Sequence, residues 1–388
     1  MKRCVPLAIA LIACAPEAAP PNPGEAVAGR LGQLLDSVKA ANPSVPGVML
    51  RVEAPSLELS FSRAAGVSDL ASGTPLDAGQ TVRIASNTKT YVAAAVLRLV
   101  EEGRIGLDDE IARHLLPAST ATLKRGGYDP SAITVRMLLQ HTSGIADFAT
   151  APTGSVTERY GAYMDYVLSD PTRRLTRADQ LELAMKNGPA YGAQDEVYHY
   201  SDTGYILLGE ILEIVTGRPM SVAVRELLGF DRLGIRATWF ESLDSVPTPA
   251  PPRAHQYLDT LDGNGLDPSF DLYGGGGIVS TLEDMAIFYR ALVRGEILGR
   301  PLLDSMLAVS PQSRTPEGTG YGMGIGQRSG GEVACWGHTG FWGTAAFHCP
   351  SVDLTVTAAV TTTEARPAML ELTEAVSRAV LPSLTASR

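Results

Sequence analysis

The sequence predicts an α+β fold in which an antiparallel sheet is flanked by helices and carries an inserted, mainly helical lobe. Strand-like segments occur near both ends of the chain, whereas helical segments separated by glycine and proline loops fill its middle. The chain has 388 residues, 45% of them hydrophobic, which is enough for a large core. We therefore expect one sheet assembled from distant segments.

The N-terminus has the layout of an export signal. The letters MKRCVPLAIALIAC join a basic start to an apolar stretch too short to span a bilayer. This predicts a signal peptide over 1–13, and the Leu-Ile-Ala-Cys that ends at Cys14 resembles a bacterial lipobox, in which Cys14 is lipidated. An ordinary secretory signal, cleaved further on, is the alternative.

Residues 14–30 are rich in alanine and proline and have no apolar periodicity, which predicts a tether outside the fold. The folded domain is then expected over 31–388. These features predict an exported protein, periplasmic or at the cell surface, that reaches the membrane only through a lipid anchor.

The first folded elements are a hairpin and a buried helix. Residues 47–66 contain two β-rich runs broken by Ala-Pro-Ser, which predicts a β-hairpin. Residues 86–102 lack glycine and proline and are apolar nearly all round. This pattern predicts a helix that is buried by its neighbours and ends before Gly103.

Further helices are predicted at 178–187 and 203–216, inside a helical lobe of about 108–269. The α/β lobe is expected to combine about 31–107 with about 270–388. Its C-terminal part is predicted to contain, in order, a helix at 281–293, strands at 321–327, 332–339, 344–349 and 353–361, and a helix at 367–380.

Two of the four cysteines lie in this last region. Cys335 and Cys349 fall opposite one another if the strands around them pair in an antiparallel register centred on Trp342. A cross-strand disulfide is predicted, because an exported protein folds under oxidising conditions. Two buried free thiols are the alternative.

A nucleophile is suggested by Ser86-Asn87-Thr88-Lys89, the Ser-x-x-Lys of this chain. Three residues on a helix place both side chains on one face. A lysine can serve as base for a serine hydroxyl if burial keeps the amine neutral, and a helix N-terminus offers backbone N–H groups to an oxyanion.

Two further polar triplets adjoin predicted elements. Tyr200-Ser201-Asp202 precedes an apolar helix, where a phenol beside an ammonium group can shuttle protons. The alternative is a half-buried aromatic followed by a helix cap. His338-Thr339-Gly340 lies on a predicted strand that ends at Phe341, where glycine allows close approach of a ligand to the backbone.

Taken together, these motifs resemble those of the serine DD-peptidase and class C β-lactamase family, the penicillin-recognising serine hydrolases. They occur at spacings of about 110 and about 140 residues. The resemblance covers nearly the whole chain from about residue 45, through RIASNTKTYVAAAVLRLVEEGRIGLDDEI, MLLQHTSGIADF, YHYSDTGYILLGEILEIVTGRP, GGGIVSTLEDMAIF and GHTGFWG. It implies a β-lactamase/transpeptidase-like fold.

The resemblance also implies roles for individual residues. Ser86 would be acylated, Lys89 and Tyr200 would share general-base and general-acid duty, and the backbone N–H groups of Ser86 and Phe341 would bind the oxyanion. The substrate groove would be lined by Asp202, His338, Thr339, Gly340 and Phe341. His141 and Ser143, which follow the Leu-Leu of the second segment, are expected to be structural.

Two departures from the family pattern concern the substrate. Asp202 stands where Asn is more usual, and an ionised carboxylate accepts hydrogen bonds without donating any. His338 stands where class C β-lactamases usually have Lys, which favours DD-peptidase-like, esterase-like or D-amino-acid peptidase members of the family.

Composition and motifs exclude other classes. The formal charge of −10 supplies no basic face for nucleic acid. No Gly-x-Ser-x-Gly elbow, His-Glu-x-x-His helix or phosphate-binding loop occurs, and we expect no cofactor and no metal. The sequence thus predicts a serine hydrolase acting on D-Ala-D-Ala-type peptides, β-lactams or small esters. An inactive surface lipoprotein that kept the fold as a binding or scaffold module is the competing prediction.

Overall fold

The computed structural model describes residues 23–150, 156–188, 194–330 and 333–386. The helices are α1 (Pro23–Ala41), α2 (Thr88–Glu101), α3 (Pro117–Arg125), α4 (Val135–Gln140), α5 (Val156–Leu168), α6 (Arg177–Lys186), α7 (Asp202–Thr216), α8 (Met220–Leu228), α9 (Phe230–Leu233), α10 (Leu282–Val293), α11 (Arg300–Leu307) and α12 (Arg366–Ala386). The strands are β1 (Gly47–Ala54), β2 (Leu59–Asp69), β3 (Thr74–Pro75), β4 (Val82–Arg83), β5 (Trp239–Phe240), β6 (Tyr257–Leu258), β7 (Leu261–Asp262), β8 (Ile278–Ser280), β9 (Gly320–Tyr321), β10 (Gly326–Gly330), β11 (Val333–Gly340), β12 (Thr344–Cys349) and β13 (Leu354–Val360).

An eight-stranded sheet joins the two ends of the chain. Its strand order is β3-β2-β1-β13-β12-β11-β10-β9, and the neighbours pair antiparallel. The pair β1 and β13 brings Val48 opposite Val360, so the N-terminal hairpin extends the C-terminal strands. The predicted α+β architecture, with its sheet built from distant segments, is confirmed.

Helices cover both faces of this sheet, because successive side chains of a strand point to opposite faces. On one face, Val48 and Val52 pack in a core with α1 and α12. On the other face, Met49 and Ala359 join the larger core that includes α2, α7 and α10. A second sheet, β4-β8-β5, lies within this larger body and takes β5 from the predicted helical lobe.

The prediction of a tether over 14–30 is wrong for residues 23–30, which form the beginning of α1. Val27, Leu31 and Leu35 recur at four-residue spacing, and all three are buried against the sheet and α12. The fold therefore includes residues 23–30 in addition to the domain predicted from residue 31. Cys14, the signal peptide over 1–13 and the rest of the tether lie outside the described residues.

The predicted strand over 321–327 is two strands separated by a turn. β9 ends at Tyr321 and β10 begins at Gly326. Between them Gly324 has φ +72°, and a Cβ added there would lie 2.3 Å from the Cβ of Ala93 in α2. Glycine is needed at this position because the turn runs directly over the helix.

Cys335 and Cys349 form a disulfide between β11 and β12. The register pairs Trp336 with His348, which places the two cysteines opposite one another about Trp342. Within the described ranges, no helix has both the length and the apolar character that a membrane span requires.

Candidate active site

Ser86 lies in a tight turn between β4 and α2. Residues Ala85–Asn87 form a single 3₁₀ turn, in which Ala85 has φ +46°, an uncommon value for a residue with a side chain. The buried Asn87 amide holds this turn by donating to the carbonyl of Ile84 at 3.0 Å and to Thr344 Oγ1 at 3.1 Å. The nucleophile candidate is therefore fixed by the strand beside it.

Lys89 lies one helical turn further on and its side chain is fully buried. Its Nζ donates to Ser86 Oγ at 3.0 Å and to the carbonyl of Gly275 at 2.6 Å, and it forms an ion pair with Asp202 Oδ1 at 2.5 Å. The Ser-x-x-Lys pair thus meets as its spacing predicts. A carboxylate compensates the burial of this lysine, which the expectation of an amine neutralised by burial did not include.

Tyr200 and Asp202 approach Lys89 from the start of α7. The Tyr200 ring centre lies 4.9 Å from Lys89 Nζ. Ser201 is the residue at the N-cap of α7, and the Asp202 carboxylate faces Lys89 instead of capping the helix. The helix-cap alternative for Asp202 is therefore not what the structure shows.

Two acids that the sequence did not single out, the buried Asp147 and the half-buried Asp271, interact with Asp202. Asp147 Oδ1 accepts from the backbone N–H of Asp202 at 3.3 Å. Burial, and then the negative charge of Asp202, raise the pKa of Asp147 to about 7. The same two causes raise the pKa of Asp271 to about 7. The sequence signals were present, since Asp147 is the penultimate residue of the quoted MLLQHTSGIADF segment and Asp271 lies three residues before the glycine run.

The His338-Thr339-Gly340 strand, β11, forms the opposite side of the site. A Cβ added to Gly340 would lie 2.3 Å from the carbonyl oxygen of Ile84, so only glycine lets β11 pack against the turn that carries Ser86. His338 Nε2 lies 2.9 Å from the hydroxyl of Tyr321. Burial, and then the positive charge of Lys89, lower the pKa of His338 to about 3, so this imidazole is neutral.

His141 supports the tyrosine side of the site. Its ring packs 4.3 Å from that of Tyr200, and its Nδ1 accepts from the backbone N–H of Ser201 at 3.1 Å. Burial lowers the pKa of His141 well below its usual value. Ser143 Oγ accepts from the N–H of Ile145 at 3.3 Å. Both residues therefore hold neighbouring backbone groups in place, as expected of structural residues.

Two depressions open at this centre. A cavity of about 30 Å³ lies against Ser86 and is lined by Ser86, Phe148, Ala149, Tyr163, Met164, Asp202, Phe270, Asp271 and Phe341. A wider groove of about 280 Å³ lies on the other side, against Tyr200, His338 and Thr339. Over the described ranges, no three His, Cys, Asp or Glu side chains are grouped as a metal site would need.

The arrangement provides a hydroxyl beside a buried amine, a phenol within reach of that amine, and a strand edge against the hydroxyl. Ser86, Lys89, Tyr200, Asp202 and the β11 triplet, predicted from separate parts of the sequence, therefore converge on one centre. Phe341 joins them as a lining residue of the small cavity. Such a centre can support nucleophilic attack on a carbonyl.

The family model described as Beta-lactamase matches residues 44–380 of the chain. Two curated relatives are esterase EstB of Burkholderia gladioli, 30% identical over 253 residues, and penicillin-binding protein 4* of Bacillus subtilis, 24% identical over 302 residues. The matches cover 59% and 74% of this chain, and in each case 61% of the relative's own length.

Solved structures agree with the fold. A D-stereospecific amidohydrolase from Streptomyces sp. superposes with a TM-score of 0.71 at 27% identity, over 86% of this chain and 94% of that one. The D-amino acid amidase of Ochrobactrum anthropi SV3 superposes with a TM-score of 0.74 at 23% identity, over 92% and 99% of the two chains. At that lower identity the likeness concerns the fold alone.

Proposed function

We propose, from the premise that this chain belongs to the beta-lactamase family, that it is a hydrolase which forms an acyl-enzyme on Ser86. The observation that carries the proposal is the 3.0 Å contact between Ser86 Oγ and the fully buried Lys89 Nζ. A serine that donates its proton to such a neighbour becomes a nucleophile.

The chemistry needs no group beyond the side chains and backbone of the site. Lys89, uncharged once its ion-pair partner Asp202 has taken its extra proton, accepts the proton of Ser86 Oγ, directly or through Tyr200, as Ser86 Oγ attacks the substrate carbonyl carbon. The negative oxygen of the tetrahedral intermediate is bound by the backbone N–H groups of Ser86 and Phe341. The intermediate then expels an amine or alcohol, which takes the proton, and water hydrolyses the remaining ester to release the acid and restore Ser86.

The substrates we propose are amides or esters, of which D-Ala-D-Ala-type peptides, β-lactams and small esters are the candidates. The relatives support this range, since their names describe an esterase, a penicillin-binding protein and a D-stereospecific amidohydrolase. Esters and amides share the carbonyl chemistry that the centre performs. The residues around the two depressions then select among the leaving groups.

A labelling experiment tests the acyl-enzyme. The full chain is incubated with a fluorescent fluorophosphonate and a fluorescent penicillin, and hydrolysis of a short-chain nitrophenyl ester, a chromogenic cephalosporin and a D-Ala-D-Ala peptide is measured alongside. We expect an adduct that S86A loses together with at least about 10³-fold in kcat/KM. The exposed Ser37 of α1 supplies a matched control, and S37A should keep both adduct and turnover.

Full hydrolytic activity in S86A would refute the proposal. The absence of any adduct and of any turnover in the native chain would instead favour the competing reading, a surface protein that kept the fold for binding.

We also propose that the chain is exported and lipidated at Cys14. The support is the basic, apolar and lipobox-like order of its first residues. Expression in a bacterium with radiolabelled palmitate should label the native chain in the membrane fraction, and C14S should lose the label and appear in the soluble exported fraction. An unlabelled native chain would leave the ordinary secretory signal as the better reading.

A further inference from the structure

The small cavity beside Ser86 has one apolar side and one acidic side. Phe148, Phe270 and Phe341 contribute aromatic rings, whereas Asp202 and Asp271 contribute carboxyl groups. Among the described residues that line it, none carries a positive charge. A volume of about 30 Å³ suits a single small polar group at this depth.

The two carboxyl groups differ in what they contact. Asp202 is ion-paired with Lys89 at 2.5 Å. Asp271, by contrast, lines the cavity without such a partner. Within the described ranges its carboxyl group accepts no hydrogen bond and forms no ion pair. Gly276 leaves it this space, because a Cβ added there would lie 2.2 Å from Asp271 Oδ1. Asp271 thus lines the cavity as a carboxyl group that accepts no hydrogen bond from the described residues.

Three acidic side chains and one lysine lie around the nucleophile. The buried Asp147 and Asp202 and the half-buried Asp271 all interact electrostatically with one another or with Lys89. The pKa of Asp147 and the pKa of Asp271 are both raised to about 7, so near neutral pH each acid can give up a proton when a cation arrives. One added positive charge in the cavity would compensate one ionised acid.

We propose that this cavity receives the ammonium group of the substrate, with Asp271 as its hydrogen-bond acceptor beside the acylated Ser86. The inference rests on the proposed acyl transfer and names its substrate class: amides, esters or peptides of amino acids with a free amino group next to the scissile carbonyl. The cavity is contiguous with Ser86, which puts the ammonium group within a few atoms of the carbonyl that Ser86 attacks. The aromatic lining excludes water and strengthens the charge-assisted contact.

The test compares substrates that differ only in their amino group. Phenylalanine p-nitroanilide is measured against N-acetyl-phenylalanine p-nitroanilide, and Nα-acetyl-lysine p-nitroanilide carries a free amine at a distance from the carbonyl; each is used in both enantiomers. We expect the free α-amine to raise kcat/KM by about tenfold or more over both acetylated substrates.

D271N should remove this preference, because an amide keeps the shape of the carboxyl group without its charge. D304N, on the exposed side of α11, is the matched control and should keep the preference. Thermal unfolding of D271N is measured as well, to establish that the variant is folded. Equal loss on all three substrates in D271N, or a preference for an acetylated one, would overturn the assignment of Asp271.

Failure of the inference is distinguishable from failure of the proposed function. If no anilide is hydrolysed but Ser86 is labelled by the fluorophosphonate, protection of Ser86 by phenylalanine amide is compared with protection by its N-acetyl form. Equal protection would sink the ammonium site and leave the acyl-enzyme intact. Absence of any adduct and any hydrolysis would sink both.

Discussion

The two sides of the Ser86 centre carry side chains of opposite chemistry. One side, the acidic wall, consists of Asp147, Asp202 and Asp271. The other, the neutral wall, consists of His338 on β11 with the aromatic residues around it. Burial penalises the charged form on both sides, so it raises the pKa of Asp147 and Asp271 to about 7 and lowers the pKa of His338 to about 3.

The comparison shows where proton exchange can occur near neutral pH. A group with a pKa of about 7 changes its charge there, whereas an imidazole with a pKa of about 3 stays neutral. Lys89 lies between the walls, ion-paired with Asp202 on one side and 4.9 Å from the Tyr200 ring centre on the other. The acidic wall is therefore the side whose net charge can change near neutral pH or when a charged ligand binds.

The walls also differ in how they are held. The neutral wall is carried by β11, which pairs on both edges and is tied to β12 by the disulfide. The acidic wall is carried by the start of α7 and by connecting segments before α5 and before β8. The neutral wall is thus fixed by strand pairing on both edges and by a disulfide, whereas the acidic wall consists of segments outside the eight-stranded sheet.

Removing the charge between the walls should have the largest effect. We expect K89M to lower kcat/KM for a nitrophenyl ester by about 10²- to 10⁴-fold, because the proton partner of Ser86 is lost. Steady-state kinetics with matched thermal unfolding would measure this. The exposed Lys124 gives the control, and K124M should retain native rates. Near-native turnover in K89M would mean that Tyr200 or the acidic wall alone takes the serine proton.

Releasing the disulfide should loosen the neutral wall. A bridge that closes a separation of 14 residues stabilises a fold by about 3 kcal/mol, so the double variant C335A/C349A should unfold several degrees below the native chain. Calorimetry with and without reductant would measure the shift. Reductant should lower the unfolding temperature of the native chain and leave that of the double variant unchanged. If both proteins unfolded at the same temperature, the pairing of β11 with β10 and β12 would be enough to stabilise the neutral wall without the disulfide.

Neutralising one acid should change how stability depends on pH. The pKa of Asp271 is raised from its ordinary value of 3.8 to about 7, so the folded chain holds a proton that the unfolded chain releases between those limits. The contribution of Asp271 to native stability therefore falls as pH rises from about 4 to about 7 and levels off above. D271N lacks this loss, and its unfolding temperature relative to the native chain should rise by a few degrees between pH 5 and pH 8. A difference that does not vary with pH would contradict the raised pKa.

Changing the neutral wall should leave the pH profile almost untouched. His338 is uncharged above pH 5, since its pKa is lowered to about 3. H338Q can alter the size of kcat/KM through its contact with Tyr321, but it should not remove or shift an inflection between pH 5 and pH 8. If the native chain showed an inflection of kcat/KM near pH 6 that H338Q lost, this imidazole would titrate in the native enzyme.

The periodicity of the sequence predicted most elements because local chemistry forms them. The break at Ala-Pro-Ser separates β1 from β2, and the run from Thr88 to Glu101 lacks any residue that would end a helix. The turn between β9 and β10 was not predicted, because glycine is required at Gly324 by its contact with α2 and not by its neighbours in sequence. The beginning of α1 was missed because its prolines and alanines resemble a linker, whereas Val27 and Leu31 are fixed by the sheet.

The sequence by itself predicted the Ser86–Lys89 contact, since a separation of three residues brings the 3₁₀ turn of Ser86 and the first turn of α2 onto one side. It also determined the cysteine pairing, through a register that depends only on the turn at Trp342. Only the tertiary structure decided what surrounds Lys89. Asp147, Asp202 and Asp271 come from segments far apart in the chain, and their charges depend on shared burial, which no local pattern records.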